Sequence, residues 1–342
     1  MNKPFYALDK GELAKLLQEW GEPGFRLEQV LEQAYALRRH GFSEAHNLPK
    51  ALRARLEESH PLRTGRIASK AVSRDGETVK FLLRLADGES VETVIIGAPS
   101  RRSVCISSQV GCDLGCRFCA STIGGKRRDL GMHEILEQFA AAQSISEERI
   151  THVVLMGMGE PLLNYANVVK ALRVLTGRFG FGLSHRRVTL STIGVVEGMR
   201  MLANEPLRVN LAVSLHAPNQ ELRKHIVPSA ERWKFDDILA AAAHYQERTG
   251  RQVTMEYCLI DGFNDSAGHA RMLGRRLKGT GFAVNLIPYN PVAGLEWKRP
   301  RRDRVRRFRD ALAALGVPAT VRREKGADIS AACGQLRRRI DG

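Results

Sequence analysis

The sequence predicts an α/β fold: a partial (β/α)6 barrel on parallel strands, preceded by a small helical domain and a short antiparallel β extension. Three observations predict it. Apolar residues recur at three-to-four spacing through residues 9–58, in LDKGELAKLLQEW and RLEQVLEQAYALRRH. The period then falls to two across RIASKAVSRDGETVKFLLRLADGESVETVIIG. Beyond it, six apolar strand-like runs alternate with helical patterns.

Each element follows in order. The helical stretch forms an accessory domain over residues 1–60. The period-two stretch is broken by Asp-Gly turns at 75–76 and 87–88, so residues 61–97 form an antiparallel meander. The expected barrel strands are VCISSQ (104–109), HVVLMG (152–157), RVTLST (187–192), VNLAVSLH (209–216), VTMEYCLI (253–260) and AVNLIPY (283–289). Helical patterns such as HEILEQFAAAQSI, YANVVKALRVLT, FDDILAAAAHYQERT and SAGHARMLGRRLK lie between them. These units place the barrel at residues 98–295 and leave a basic C-terminal segment, 296–342. Such folds present their sites where the strands end, and every motif below falls there or just beyond.

Composition narrows the function. The 342 residues are long enough for a full core and an accessory domain. Lys and Arg number 53 against 37 acidic residues, a formal net charge of +16. The excess is uneven: residues 1–60 carry nine basic and nine acidic side chains, while residues 298–342 carry 14 and five. A basic excess at one end suggests a polyanionic partner, nucleic acid first; a solvated Arg-rich surface is the alternative. No run of about 18 apolar residues occurs, so no membrane helix is expected. The N-terminus lacks the apolar stretch of a signal peptide, so a cytoplasmic protein is expected, with a monomer as the default state. In a reducing compartment, clustered cysteines point to metal or catalysis rather than to structural bridges.

The cluster is VGCDLGCRFCAST, in which Cys112, Cys116 and Cys119 have the spacing C-x3-C-x2-C. A closed zinc site takes four protein ligands, and neither a second CxxC pair nor a well-spaced His pair accompanies these three. Three thiolates suit a 4Fe-4S cluster with one iron open, where the amino and carboxylate groups of S-adenosylmethionine (SAM) could bind. A reduced cluster could then cleave the sulfonium bond and release a 5′-deoxyadenosyl radical. The alternative is a zinc knuckle with a remote fourth ligand. VVLMGMGEPLLN ends the next strand with Gly159 and Glu160; the glycine admits close backbone approach, and the glutamate could accept from the ammonium group of SAM. Ser191, Ser214, His216 and Asn290 end later strands, and each taken singly could equally serve a turn or cap.

With CxxxCxxC, GMGEP, STIG, SLHA, IPYNP and the tail GADISAACGQL on the page, the chain resembles the RlmN/Cfr family of radical-SAM RNA methyltransferases, over nearly its whole length. The RlmN branch is the closer match. It methylates C2 of adenosine 2503 in 23S rRNA and, in some members, of adenosine 37 in tRNA. The Cfr branch methylates C8 of the same ribosomal adenosine. The resemblance implies a radical-SAM barrel, a 4Fe-4S cluster on Cys112, Cys116 and Cys119, and two SAM molecules per turnover. It implies SAM contacts at Gly159, Glu160, Ser191, Ser214, Leu215, His216 and Asn290. It further implies that Cys333 is methylated and forms an adduct with the RNA, that Glu92 accepts a proton, and that Cys105 resolves the adduct through a transient disulfide. An external electron donor and a disulfide reductant would complete the cycle. The chemistry is sensible from below, because adenine C2 is electron-poor and does not attack a SAM methyl group.

Some roles stay open. Period-two alternation alone makes Glu92 a solvent-facing strand residue. Position alone leaves Cys105 and Cys333 evenly balanced between a functional role and a small buried hydrophobe, the latter being the reading for Cys258. The tract KRPRRDRVRRFR (298–309) has eight basic residues in twelve, suits phosphate contact near the barrel mouth, and is expected to enter a helix after Pro300. Arg117, Lys126, Arg127, Arg128, Arg186 and Arg187 add to it, and Phe118 is expected to pack on the cofactor. Three rivals remain: a C8 methyltransferase, a radical-SAM enzyme with another substrate, and a non-catalytic RNA-binding protein with a structural metal.

Overall fold

A reciprocal cap starts the first helix. Asp9 accepts from the Glu12 N–H at 2.8 Å, and Glu12 accepts from the Asp9 N–H at 2.8 Å. Helix α1 (Lys10–Glu19) is followed by α2 (Arg26–Leu31), which runs on into a π-helical turn at Glu32–Ala36, and by α3 (Lys50–Ser59). The computed structural model describes residues 3–36 and 39–336; Arg337, Arg338 and Arg339, counted above with the basic tail, lie outside the described residues. Phe5, Tyr6, Tyr35 and Phe42 bury their rings together. Phe181 from the barrel joins them, 5.1 Å from Tyr35 and 4.6 Å from Phe139. Each such pair contributes about 0.5–1.5 kcal/mol beyond area burial, so the helical region is held onto the barrel by packing.

Strands β1 (Arg66–Val72), β2 (Thr78–Arg84) and β3 (Ser90–Ala98) form the meander, with turns at the two Asp-Gly pairs. The meander is continuous with the barrel, because β3 pairs antiparallel with β4 (Arg101–Cys105). β5 (Gln109–Val110) and β6 (Arg128–Asp129) then form a separate two-stranded ladder. Helix α4 (Met132–Ile145) leads to β7 (His152–Leu155), α5 (Tyr165–Thr176) to β8 (Val188–Thr192), and α6 (Val196–Ala203) to β9 (Asn210–Ser214). Then come α7 (Gln220–Ile226), α8 (Phe235–Thr249), β10 (Thr254–Leu259), α9 (Ala267–Leu277), β11 (Ala283–Pro288), α10 (Arg302–Ala313) and β12 (Ala319–Val321). The main sheet has ten strands in the order β1-β2-β3-β4-β7-β8-β9-β10-β11-β12 and is parallel from β4 to β12. The six expected barrel strands are present, and β12 adds a short parallel strand that the sequence reading omitted.

Boundaries moved where side chains replace the ladder. The first barrel strand was expected to reach residue 109 but ends at Cys105. Beyond it, Ser107 N–H donates to Gln138 Oε1 at 2.8 Å and Gln138 Nε2 donates to Ser107 O at 3.0 Å. A buried amide on α4 thus takes the bonds a strand would have used. The preceding residue on α4, Glu137, accepts from Thr64 N–H, Thr64 Oγ1 and Gly65 N–H at 2.7–2.9 Å, fastening the exit of the helical region. Among the described residues no helix is long and apolar enough to cross a membrane.

Candidate active site

The β5–β6 ladder closes residues 111–127 into a loop that carries all three clustered cysteines. Gly111 (φ 78°) and Gly125 (φ 66°) cross at its neck. Arg127 N–H donates to Val110 O at 2.8 Å, and Asp113 accepts from Lys126 N–H at 2.6 Å. On the far side, Arg117 N–H donates to Ile226 O at 2.9 Å and Trp297 Nε1 donates to Arg117 O at 2.9 Å. The chain's tail covers the loop, with Ala120 N–H on Gly334 O at 2.7 Å and Ser121 Oγ on Leu336 O at 2.6 Å.

Cys112, Cys116 and Cys119 all line one cavity, with about 950 Å³ of space counted out to its mouth. Gly159, Glu160, Ser191, Ser214, His216, Asn290 and Cys333 line the same cavity. Leu215, Cys105 and Glu92 are not among its lining residues. Among the described residues no three His, Cys, Asp or Glu side chains close on a single point; the three sulfurs stand around the cavity instead. Burial pushes the Cys112 thiol up to about 12. Burial, then the charges of its two partners, hold Cys116 well above the ordinary thiol value, and burial raises Cys119 as well. Three thiolates here therefore need positive charge beside them, which iron supplies. The protein adds a cation: Arg223 is 0% exposed, its charge favours the Cys116 thiolate, and burial lowers its own pKa to about 10. Its Nη2 donates to Ile193 O at 2.5 Å and its Nη1 to Trp233 O at 3.3 Å, so the guanidinium is fixed. Soft donors, three in number, facing an open cavity fit an iron–sulfur cube with a free position.

Glu160 faces this cavity from the turn after β7. Its carboxylate accepts from Leu162 N–H at 3.0 Å and Ile193 N–H at 2.7 Å, while its own N–H donates to Gln109 Oε1 at 2.9 Å. Burial outweighs those bonds and raises its pKa to about 7. Between pH 4.5 and about 7 the folded state therefore binds more protons than the unfolded state. Stability of the ligand-free protein is thus expected to fall as pH rises through that window, by about 3 kcal/mol at most. Urea unfolding of wild type minus Glu160→Gln, measured from pH 5 to 8, should show this slope; a flat difference would refute it.

His216 sits at φ 60°, a left-handed conformation that a β-strand does not allow. Leu215 N–H and His216 N–H share Glu256 O at 3.0 and 3.1 Å, so the strand expected to reach residue 216 ends at Ser214 and the ring is re-aimed. Leu215 acts in this turn through its backbone, with its side chain buried in the core. The His216 Nδ1 accepts from Cys258 N–H at 3.0 Å, which leaves the proton on Nε2. Burial lowers its pKa to about 3, so the ring stays neutral. Phe118 meets it edge-on at 4.7 Å and lines the cavity. Ser191 and Ser214 lie side by side, Oγ to Oγ 3.4 Å.

Asn290 Nδ2 donates to Cys333 O at 3.0 Å and Gln335 Nε2 to Pro291 O at 2.9 Å, seating the tail over the cavity. Cys105, 6% exposed, lies at the end of β4 between Val94 and Val154, where burial first and then a charge on Cys333 raise the cost of ionising it. Glu92 is not the solvent-facing residue that alternation suggested. It is 2% exposed and pairs with Lys80 Nζ at 3.0 Å, and that ammonium also donates to Ser330 O of the tail at 3.0 Å.

Three residues of the site escaped the sequence reading. Cys258 is the buried core residue that its apolar strand predicts, and it also forms part of the cavity wall. Glu256 and Arg322 also line the cavity. An acid inside the apolar run VTMEYCLI, two residues from Cys258, was the available signal for Glu256.

A second groove, with about 2510 Å³ of space, follows the inner face of the barrel toward the strand starts. Arg101, Arg186, Arg187, Arg251, Arg299, Arg323 and Lys325 line it. Met156, Glu256, Ile287, Asn290, Arg322 and Cys333 line both spaces. The basic tract 298–309 contributes only Arg299 to the groove. Its helix α10 packs instead on α9; Arg304 pairs with Asp261 and Asp265 from the loop before α9, and Arg307 with Asp303 of α10 itself.

Comparison with known proteins agrees with this geometry. Residues 106–272 match the radical SAM superfamily, and residues 5–61 match the ribosomal RNA large subunit methyltransferase N-terminal domain. A probable dual-specificity RNA methyltransferase RlmN from Desulforamulus reducens is 45% identical, covering 98% of this chain and 95% of its own length. Its counterpart from Symbiobacterium thermophilum is 46% identical over 98% and 92%. A crystal structure of a radical SAM methyltransferase from Sphaerobacter thermophilus superposes with a TM-score of 0.95 at 43% identity, covering 98% and 99% of the two chains. A thiol-lined cavity at the barrel mouth, joined through one cysteine to a basic groove, is thus housed in a chain that belongs to the RlmN family of radical-SAM RNA methyltransferases.

Proposed function

We propose that this enzyme methylates C2 of adenosine 2503 in 23S rRNA and C2 of adenosine 37 in tRNA, through Cys333. The observation that carries this reading is the position of Cys333, which lines both the cluster cavity and the basic groove. A methyl group acquired there on one side can be presented to a base entering from the other. Modification of a base requires it unstacked, and arginines along the groove can hold the flanking phosphates. The dual specificity in the names of the relatives supports both RNA classes.

Cys112, Cys116 and Cys119 would hold the 4Fe-4S cluster, and Gly159, Glu160, Ser191, Ser214, His216 and Asn290 would hold SAM, with Leu215 shaping the turn that aims His216. When bound, the cluster supplies the electron that cleaves one SAM and so the radical that activates the methyl group on Cys333. Glu160, ionised by a bound ammonium group, would accept from it alongside its two backbone donors. Neutral His216 offers an Nε2–H and no charge that would oppose the cation. Glu92, released from Lys80 by movement of the tail, would take the proton lost by the adduct. The Cys105 thiolate would then attack the Cys333 sulfur; the C–S bond to the RNA methylene would break with its electron pair on that carbon, a proton would complete the methyl group, and an external reductant would reopen the Cys105–Cys333 disulfide. Residues 1–60 would read RNA shape rather than charge, residues 61–97 would extend the barrel sheet, residues 98–295 would form the barrel, and residues 296–342 would carry Cys333.

The test is anaerobic turnover of reconstituted protein with SAM bearing a deuterated methyl group, a reductant, and 23S or tRNA transcript, followed by nucleoside mass spectrometry. Wild type should give labelled 2-methyladenosine, Cys333→Ala none, and Cys105→Ala a trapped protein–RNA adduct. Labelled 8-methyladenosine would move the protein to the Cfr-type reaction. No labelled adenosine from protein with a full cluster would overturn the RNA assignment.

A further inference from the structure

The cluster cavity and the basic groove meet at a waist, and strand alternation shows where it lies. On β10, Thr254 lines the groove, Glu256 lines both spaces and Cys258 lines the cavity. On β11, Asn285 lines the groove and Ile287 both. Met156, just past β7, and Cys333 of the tail belong to the same waist. Glu256 is the one carboxylate among the described residues that line both spaces, and it is 4% exposed. Asn285 Nδ2 donates to it, 3.0 Å from Oε2 and 3.3 Å from Oε1. Thr320 Oγ1 donates in turn to Asn285 Oδ1 at 3.3 Å, which fixes the amide. Among the described residues no other group donates a hydrogen bond to this carboxyl group. A carboxylate has room for about four. Burial raises its pKa, against the charge of Arg322 and the Asn285 bond; ionised or not, the group keeps an oxygen open to accept. A buried acid short of donors thus stands where a base must come to meet Cys333.

We propose that Glu256 selects the target base, by accepting a hydrogen bond from the N6 amine of adenine while C2 meets Cys333. The inference rests on the reading of the reaction given above. In adenine, C2 and the carbon that bears N6 both adjoin N1. A base with C2 at Cys333 therefore holds its amine within the same waist. Met156 and Ile287 offer the ring apolar surface there, and Glu256 offers the acceptor. Purine without the amine presents only a hydrogen at that place and leaves the buried oxygen unsatisfied. It keeps its C2–H, so it stays open to the same chemistry, and the missing bond alone tells it from adenine. The Glu256 carbonyl oxygen, which receives Leu215 and His216 N–H, is backbone and remains whatever side chain stands there.

The test compares two ligated tRNA transcripts, one with adenosine and one with purine riboside at position 37, in methyl transfer by reconstituted full-length protein. Wild type should favour adenosine in kcat/KM by at least about tenfold, the cost of leaving one buried acceptor unpaired. Glu256→Ala should treat the two transcripts alike. Glu256→Leu, which fills the space, should do the same and serves if the alanine variant fails to fold. Any effect of the amine on the RNA itself is common to all three proteins and cancels in the comparison. A merely structural role would slow both transcripts equally and leave the wild-type preference in place, which would overturn the proposal. Equal use of the two transcripts by wild type would also overturn it. SAM binding is measured on the same proteins: a Glu256→Leu protein that loses SAM affinity while keeping the adenosine preference would put the carboxylate on the cofactor and overturn the proposal as well. If wild type methylates neither transcript, the reaction reading fails, and the affinities of the two transcripts decide instead. Tighter binding of the adenosine transcript by wild type, lost in Glu256→Leu, would then uphold the role of Glu256, and equal binding by wild type would overturn it.

Discussion

Replacing Cys116 with alanine is expected to leave a folded protein that cannot retain a cluster and transfers methyl groups at least about 10⁴-fold more slowly than wild type. The fold survives because the loop is held by contacts other than the sulfur: the β5–β6 ladder, Arg117 on Ile226 O, and Ser121 on Leu336 O. Removing one buried sulfur costs about 1 kcal/mol, well within the stability of a domain this size. The cluster does not survive, because Cys116 is the thiol whose ionisation the buried Arg223 favours, and without it the loop offers two thiols in place of three. Cys258→Ala is the matched control. Cys258 is buried in the same cavity wall, and burial raises its thiol too, yet it lies on strand β10 rather than on the loop. That variant should keep its iron. Iron and sulfide content with visible absorption would measure both, alongside methyl transfer. Full iron content in Cys116→Ala would remove this cysteine from the ligand set.

The sequence carried some features of this site and hid others, for physical reasons. Glycines, prolines and cysteines fix local chemistry, so the three-cysteine loop, the turn at Gly159 and Glu160 and the docked tail were legible as strings. Period-two and period-3.6 patterns gave the six βα units, because strands such as β7, β8 and β11 alternate buried and half-buried residues and helices such as α5 and α9 bury one stripe. What was missed depends on contacts between distant segments. β12 is three residues long and is defined only by pairing with β11. The burial of Glu92 depends on Lys80 from the next strand and on Ser330 from the tail, which no local period reveals. The Arg-rich tract misled because charge density says nothing of direction. α10 turns its arginines to solvent and to Asp261, Asp265 and Asp303, while the arginines of the groove come from separate segments of the chain, at 101, 186–187, 251, 299 and 322–323.

The same contrast between local strings and distant contacts separates two glycines that look alike in sequence. Gly76 ends a tight turn at φ 70°, and Gly111 opens the cysteine loop at φ 78°. A Cβ on Gly76 would meet nothing within 4 Å, so Gly76→Ala should cost only the left-handed conformation, about 1–2 kcal/mol, and leave the cluster intact. A Cβ on Gly111 would stand 2.0 Å from Gly125 O, 3.0 Å from its carbonyl carbon and 3.3 Å from Lys126 Cα. All three are backbone atoms, so no side-chain rotation relieves the overlap. The neck of the loop must open, and what opens with it is the short β5–β6 ladder and the bond from Arg127 to Val110 O. That caps the loss of global stability at the cost of opening the loop, about 2–4 kcal/mol, because the barrel beneath does not depend on this ladder. The cysteines do depend on it: Cys112 adjoins Gly111, and its position relative to Cys116 and Cys119 is set by the closed neck. Gly111→Ala is therefore expected to lower the melting temperature only modestly more than Gly76→Ala, yet to lose most of its iron and at least about 100-fold in methyl transfer. Thermal melts and iron content of the two variants, measured side by side, separate the effects. Equal iron in both would mean that the neck does not position the cysteines, and the loop's hold on the cluster would then have to come from its anchors on α7 and the tail.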